Sequence, residues 1–193
     1  MSKSAKDDFQ AQRQQQIISA AKDCFSRSGF HGASMADISH ESGLGAGQIY
    51  RYFSSKELIV IETIKNIAES WRIFLVRNFQ HQANTSNIID TESEFWEAWS
   101  FRDRCLLLEM YSEASRNEVV RELLAHEEQV LITELDRVFR QQLPAASPEQ
   151  RSDRIQFLLM LVDGVACRTF GDKNVDQQEL ARINSTLVGH LFS

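Results

Sequence analysis

The sequence predicts an all-α protein of about nine helices, in which a three-helix N-terminal domain, residues 1–54, precedes a larger helical domain, residues 55–193. Three observations predict it. Only two prolines and eight glycines interrupt 193 residues, and the stretches between them are rich in Leu, Glu, Ala, Gln and Arg, which lose little rotamer freedom in a helix. Apolar residues recur at spacings of three and four. With 42% of its residues hydrophobic, the chain can bury a core in each part.

The first helix is expected from Asp8 to Ser28, because Ile17, Ala21, Cys24 and Phe25 share one face and Gly29 is a natural stop. Ser34 can cap a short helix from Met35 to Ser42, with Asp37 three residues on as the return half of a capping box, and Gly43 ends it. Leu44 and Gly45 lead into a second short helix, Ala46 to Phe53. Two short helices joined by a glycine-containing turn form a helix-turn-helix. Ser54 or Ser55 caps the next helix, whose apolar series Leu58, Ile61, Ile64, Ile67, Ala68, Trp71, Phe74 and Leu75 carries it to about Asn78.

Residues 80–91 read as a loop. Thr91 and Glu94 then cap a helix to about Phe101, followed by helices over about 103–116 and 118–142. Pro144 and Pro148 bracket a break before a helix from about Glu149 to Phe170. That helix is apolar on nearly every side, which places it at a subunit interface. Asp176 and Glu179 open a last helix striped by Leu180, Ile183, Leu187 and Leu191.

The net charge of −6 divides unevenly: residues 1–60 balance to +1 and residues 61–193 to −7. Only the first part can face phosphate comfortably, through a few placed contacts. Cys24, Cys105 and Cys167 are odd in number, far apart and set in apolar stretches, so buried free thiols are expected. No signal core and no run of about 20 apolar residues is present, so the expectation is a cytoplasmic protein without a membrane partner.

A short helix entering the major groove needs small residues at its N-terminus, which Ala46 and Gly47 supply after Gly45. Gln48 and Arg51 are then long enough to reach base edges, Gln being suited to adenine and Arg to guanine. The base-reading candidates are therefore Ala46, Gly47, Gln48 and Arg51. The bland alternative for Gln48 and Arg51 is an ordinary polar surface, and for Tyr50 a core aromatic with a wet hydroxyl.

The segment SMADISHESGLGAGQIYRYFSSKELI closely resembles the DNA-binding region of the tetracycline-repressor (TetR) family of bacterial regulators. Ala36 and Ile38, the run Ser42–Leu44, the set Gly47, Ile49, Tyr50, Tyr52 and Phe53, and Lys56, Glu57 and Leu58 stand in the family's order. The resemblance is dense over roughly residues 10–65, and beyond it only the layout is similar. It implies phosphate contacts from Tyr50, Tyr52 and Lys56; Ser34, at its helix cap, joins them as a fourth candidate. Ile38, Ile49, Phe53, Phe25 and Leu58 are expected in the core. Two features depart from the family: Gly45 stands where Ser or Thr is common, and the tail sets Lys3, Lys6 and Arg13 against Asp7 and Asp8, too weak for a minor-groove arm.

In the larger domain a ligand pocket is expected from Trp71, Phe74, Trp96, Trp99, Met110, Tyr111, Phe139, Phe157 and Met160, with Phe95 also available. At helical spacing each could equally be plain core. Glu109 and Glu113 lie one turn apart and read as a solvated helix face, against the alternative of a buried carboxylate pair for a cationic ligand. Asp163-Gly164 would let two helices cross closely. Glu122 with His126 is too sparse for a metal site, and no cofactor is expected.

The expected function is a homodimeric regulator, a repressor that binds a pseudo-palindromic double-stranded operator and is released by an unidentified small-molecule effector. The competing reading is an architectural or partner-recruiting DNA binder without a ligand. An enzyme would need paired Glu-x-x-His motifs, a nucleophile constellation or a phosphate loop, and the sequence has none.

Overall fold

The computed structural model describes residues 3–80 and 99–167, together with 176, 178–179, 182–183 and 185–187. Among them are seven bounded helices and no strand: α1 (Lys3–Gly32), α2 (Met35–Ser42), α3 (Ala46–Ile49), α4 (Lys56–Gln80), α5 (Phe101–Ala114), α6 (Glu118–Gln142) and α7 (Pro148–Cys167). The fold is all-α, as the sequence predicts. The loop expected at 80–91, the cap at Thr91 and Glu94, and Phe95 and Trp96 fall outside the described residues, except Gln80, which ends α4.

Two compact units are present, Met1–Glu69 with Cys105–Leu123, and Ser70–Arg104 with Leu124–Ser193. Helices α4, α5 and α6 each begin in one unit and end in the other.

In the first unit α1 starts earlier than expected and continues past Gly29 to Gly32. The glycine does break it, at φ 70° and ψ 169°, a backbone state that β-carbon-bearing residues disfavour. Ile17, Ala21, Cys24 and Phe25 are buried as expected, and Phe30, just past the break, meets Phe25 edge to face at 5.0 Å. Each such phenyl ring contributes roughly 1.5–3 kcal/mol by leaving water. Helix α2 matches its expected bounds. Ser34 accepts from the Asp37 N–H at 3.1 Å while Asp37 accepts from the Ser34 N–H at 2.7 Å, and Gly43 closes the helix in the left-handed region at φ 67°. Gln16 of α1 donates to the Ser42 carbonyl at 2.7 Å, which satisfies one of the carbonyls left open at that end.

The start of α4 differs from the expectation. Leu58 is 44% exposed, while Ile59, Val60, Thr63 and Ile64 face inward. Ser55 accepts from the Leu58 N–H at 3.3 Å and Lys56 is tied to the end of α1, and the two together fix the rotation of the first turn so that Ile59 and Val60 take the place of Leu58, whereas Ile64, Ile67, Ala68, Trp71 and Leu75 are buried as expected.

In the second unit, Leu131, Leu135, Val138 and Phe139 of α6 are buried, as are Ile155, Leu158, Leu159, Val162 and Ala166 of α7. Ser147 caps α7 by accepting from the Gln150 N–H at 3.2 Å, with Pro148 at the first helical position, where a missing N–H costs nothing. Arg151, 7% exposed, donates to Asp136 at 2.8 Å and to the Ala146 carbonyl at 2.7 Å, so the buried cation is paired. The apolar character of α7 is not matched by burial all round. Phe157, Met160, Gly164 and Cys167 form an exposed face, with Met160 at 64%. Only Cys24 of the three free thiols is buried; Cys105 is half-buried and Cys167 exposed. Asp176 accepts from the Gln178 and Glu179 N–H groups, the cap expected for the last helix.

Candidate nucleic-acid interface

The helix-turn-helix is built on its own backbone bonds. Ser39 donates to the Leu44 carbonyl at 2.6 Å and the Leu44 N–H donates to Ser42 at 3.3 Å, which pins the turn between α2 and α3. The α-helical part of α3 ends at Ile49. Beyond it the Arg51 and Tyr52 N–H groups bond back three residues, to Gln48 and Ile49, so the last turn through Phe53 is tighter than the α-helix expected there. Leu44, Ile49 and Phe53 anchor the unit inward.

The outward face carries the base-reading candidates. Ala46, Gly47, Gln48 and Arg51 are all exposed. A β-carbon at Gly47 would meet nothing within 4 Å, so no contact inside the chain requires glycine there. The bare backbone instead leaves room for an outside surface to approach closely. Arg51 makes no side-chain hydrogen bond among the described residues, and its five donors are available. Gln48 is partly engaged, since its Oε1 accepts from the Gly45 N–H at 3.2 Å. This is the return half of a capping box whose hydroxyl half Gly45 cannot supply, and Gln48 must let go of it to present both amide atoms to one base.

The phosphate candidates divide in two. Tyr50 is 51% exposed and Tyr52 half-buried, and neither hydroxyl bonds to a described residue. Ser34 gives its hydroxyl proton to Asp37 at 2.7 Å, and that bond, followed by the Ser34 N–H, holds the Asp37 carboxyl below its ordinary range. Lys56 donates to the carbonyls of His31 at 3.1 Å and Ala33 at 2.8 Å. An ammonium has three donors, so one remains.

Glu109 and Glu113 depart from the solvated face preferred for them over a buried carboxylate pair. In place of a solvated face, Glu109 accepts from the Phe30 N–H at 2.7 Å, and Glu113, 5% exposed, accepts from His31 Nε2 at 2.9 Å. Burial pushes the Glu113 carboxyl up, but hydrogen bonds from Asn117, His31 and Arg116 outweigh it and hold the group below its ordinary range. The partners lie some 80 residues away in sequence, so no local pattern could have shown them.

The pocket candidates scatter. Trp71, Phe74 and Trp99 form one cluster in the second unit, with ring centroids 4.8–5.5 Å apart. Trp99 is 6% exposed and its indole N–H has no hydrogen-bond partner among the described residues. Phe139 meets Phe79 at 6.5 Å, and Met110 is buried in the first unit. Tyr111, Phe157 and Met160 lie on the surface. Among the described residues no group of three or more His, Cys, Asp or Glu side chains could hold a metal ion, and no helix is long and apolar enough to cross a membrane.

A pinned turn between two short helices, the second with an exposed Gly, Gln and Arg face, is the reading head of a DNA-binding transcriptional regulator. Residues 17–63 match the family described as bacterial regulatory proteins, tetR family. Over those residues the chain is similar to that family's DNA-binding region. It is 26% identical over 170 residues to the HTH-type transcriptional regulator BetI of Vibrio vulnificus, covering 81% of this chain and 80% of that one. To the HTH-type transcriptional regulator UidR of Escherichia coli it is 26% identical over 172 residues, 86% of this chain and 83% of the other. The solved structure of Salmonella enterica GusR superposes with a TM-score of 0.74 over 93% of this chain and 95% of that one, at 22% identity. Members of the family are regulators, not enzymes.

Proposed function

We propose that the protein is a homodimeric cytoplasmic repressor, released from a pseudo-palindromic operator when a small molecule enters its larger domain. Residues 1–54 are the DNA-binding domain and residues 55–193 the sensing and dimerising domain. The observation that carries the reading is the exposed face of α7. Phe157, Met160 and Gly164 lie on one side of a helix whose other side is already buried, and a β-carbon at Gly164 would meet nothing within 4 Å. A second copy laid against that smooth apolar face would bury it and allow close helix crossing.

In this reading Gln48 and Arg51, with Ala46 and Gly47 beneath them, read bases. Tyr50, Tyr52 and the third donor of Lys56 hold phosphate, joined by Ser34 when its hydroxyl turns from Asp37. Trp71, Phe74 and Trp99 are the ligand-facing cluster, and the unpartnered Trp99 N–H favours a ligand with a hydrogen-bond acceptor beside an aromatic or apolar face. Such a ligand releases DNA only if it binds better to the head spacing that does not fit the operator.

The test has three arms on the full chain. Selection from random duplex should return a sequence with two half-sites about one helical turn apart. Light scattering should give a dimer, and Met160→Glu should give a monomer with much weaker operator binding. A compound quenching Trp fluorescence should lower operator affinity; compounds that quench without changing DNA binding would remove the switching half of the reading. A monomer bound to a single half-site would remove the dimer.

A further inference from the structure

The break at the end of α1 leaves polar groups that other helices satisfy. Just past Gly29, which stands at φ 70°, the Phe30 N–H donates to Glu109 Oε1 at 2.7 Å. The carboxylate sits so close that a β-carbon on Gly29 would lie 2.8 Å from the same oxygen. One turn along α5, Glu113 accepts from His31 Nε2 at 2.9 Å. Glu113 is itself fixed by Arg116 at 2.8 Å and Asn117 at 3.1 Å, so His31 meets a rigid acceptor. Lys56 of α4 holds the carbonyls of His31 and Ala33, and Ser34, the cap of α2, follows directly. Residues 29–33 are thus gripped by two carboxylates from α5 and one ammonium from α4, immediately before the helix-turn-helix.

We propose that Glu109 and Glu113 are positioning residues for operator recognition: by gripping the end of α1 they set the attitude of α2 and α3. The proposal rests on the dimeric operator reading above. A carboxylate taken out of water is costly unless paired; Glu113 is buried and Glu109 half-buried, and both place acceptors at the break in α1. Their partners are a backbone N–H and a histidine on the near side of Ser34, so a shift of α5 by a fraction of a helical turn must either drag the head or break both bonds. A dimer that must meet two half-sites at fixed spacing is sensitive to such a shift, whereas a loosely placed head on random duplex is much less so.

The experiment measures operator and random-duplex affinity at one salt concentration for the full-length chain and for Glu109→Ala, Glu109→Gln, His31→Gln, Glu113→Gln and the His31→Gln/Glu113→Gln double variant, with melting temperature and oligomeric state alongside. The expected result is that Glu109→Ala weakens the selected operator about tenfold while random duplex changes by less than about twofold, as suits the loss of a charge-assisted bond that orients the head. Glu109→Gln should restore most of the loss, because its amide oxygen still accepts from Phe30. The two substitutions at the His31 pair should be non-additive on operator affinity. Should Glu109→Ala fail to fold, His31→Gln, at an exposed side chain, carries the same test. Unchanged operator affinity in the folded variants, or parallel losses on both duplexes, would overturn the proposal. If the parent chain selects no duplex at all, the operator reading falls and the proposal falls with it.

Discussion

The reading head and the second unit solve their polar bookkeeping in opposite ways. In the head, the bonds that shape the helix-turn-helix are short in sequence: Ser34 with Asp37, Ser39 with Leu44, Gln48 with Gly45. In the second unit they are long: Arg72 donates to both oxygens of Glu134 at 2.7 Å, Gln142 donates to the Phe79 carbonyl, and Arg151 joins Asp136. A unit shaped locally keeps its geometry wherever it is carried. One held by contacts between distant helices changes geometry when any helix moves, and this suits the first to reading a fixed duplex and the second to the sensing role proposed for it.

The largest expected effect tests the exception to that contrast, the junction at the end of α1. Phe30→Ala should cost about 3–5 kcal/mol in urea unfolding, since a ring 1% exposed and packed on Phe25 leaves a cavity. A loss under about 1 kcal/mol would mean that the junction contributes little to the head. Next, Arg51→Ala should cost about 1–3 kcal/mol in operator binding and relax one base position, while Tyr50→Phe weakens all sequences alike. Equal losses on specific and random duplexes for both would erase the division between reading and holding. Ser34→Ala should then remove about 1 kcal/mol of stability through the lost cap. A larger loss would show the head to be less local than its bonds suggest.

Acid provides a finer comparison. The native Glu113 carboxyl lies below its ordinary value of 4.5, so its stabilising effect is fully present above that value and is lost as pH falls through the lower native one. The stability difference between the parent chain and Glu113→Gln should therefore be flat from neutrality to about pH 5 and shrink below it. A difference that already shrinks near pH 6 would point to another group. The smallest effect is expected in the second unit: Trp99→Phe should cost about 1 kcal/mol or less in stability, because no hydrogen bond is lost. It should nonetheless blunt the response to an acceptor-bearing ligand, and an unchanged response would remove the Trp99 N–H from the ligand contacts.

How much of this was legible in the sequence follows the same divide. Ser34, Asp37 and Gly43 gave the bounds of α2 because capping is decided within four residues, and Ser147 with Pro148 marks the start of α7 for the same reason. Leu58 was misread as core because an apolar stripe gives a helix's period but not its rotation, which here Ser55 and the Lys56 ammonium determine. Phe157 and Met160 looked like pocket residues because aromatic and Met side chains are equally at home in a pocket, a core or an interface, and only their exposure separates these.

By itself the sequence determined an all-α chain, the capped helix-turn-helix and the exposed Gln48 and Arg51, since each depends on residues within a few positions of one another. The tertiary structure alone decided the fate of Glu109 and Glu113. A carboxylate on a helix reads as solvated until the backbone break 80 residues earlier, at Gly29 and Phe30, is brought within hydrogen-bond distance, and that distance is a property of packing that no local spacing encodes.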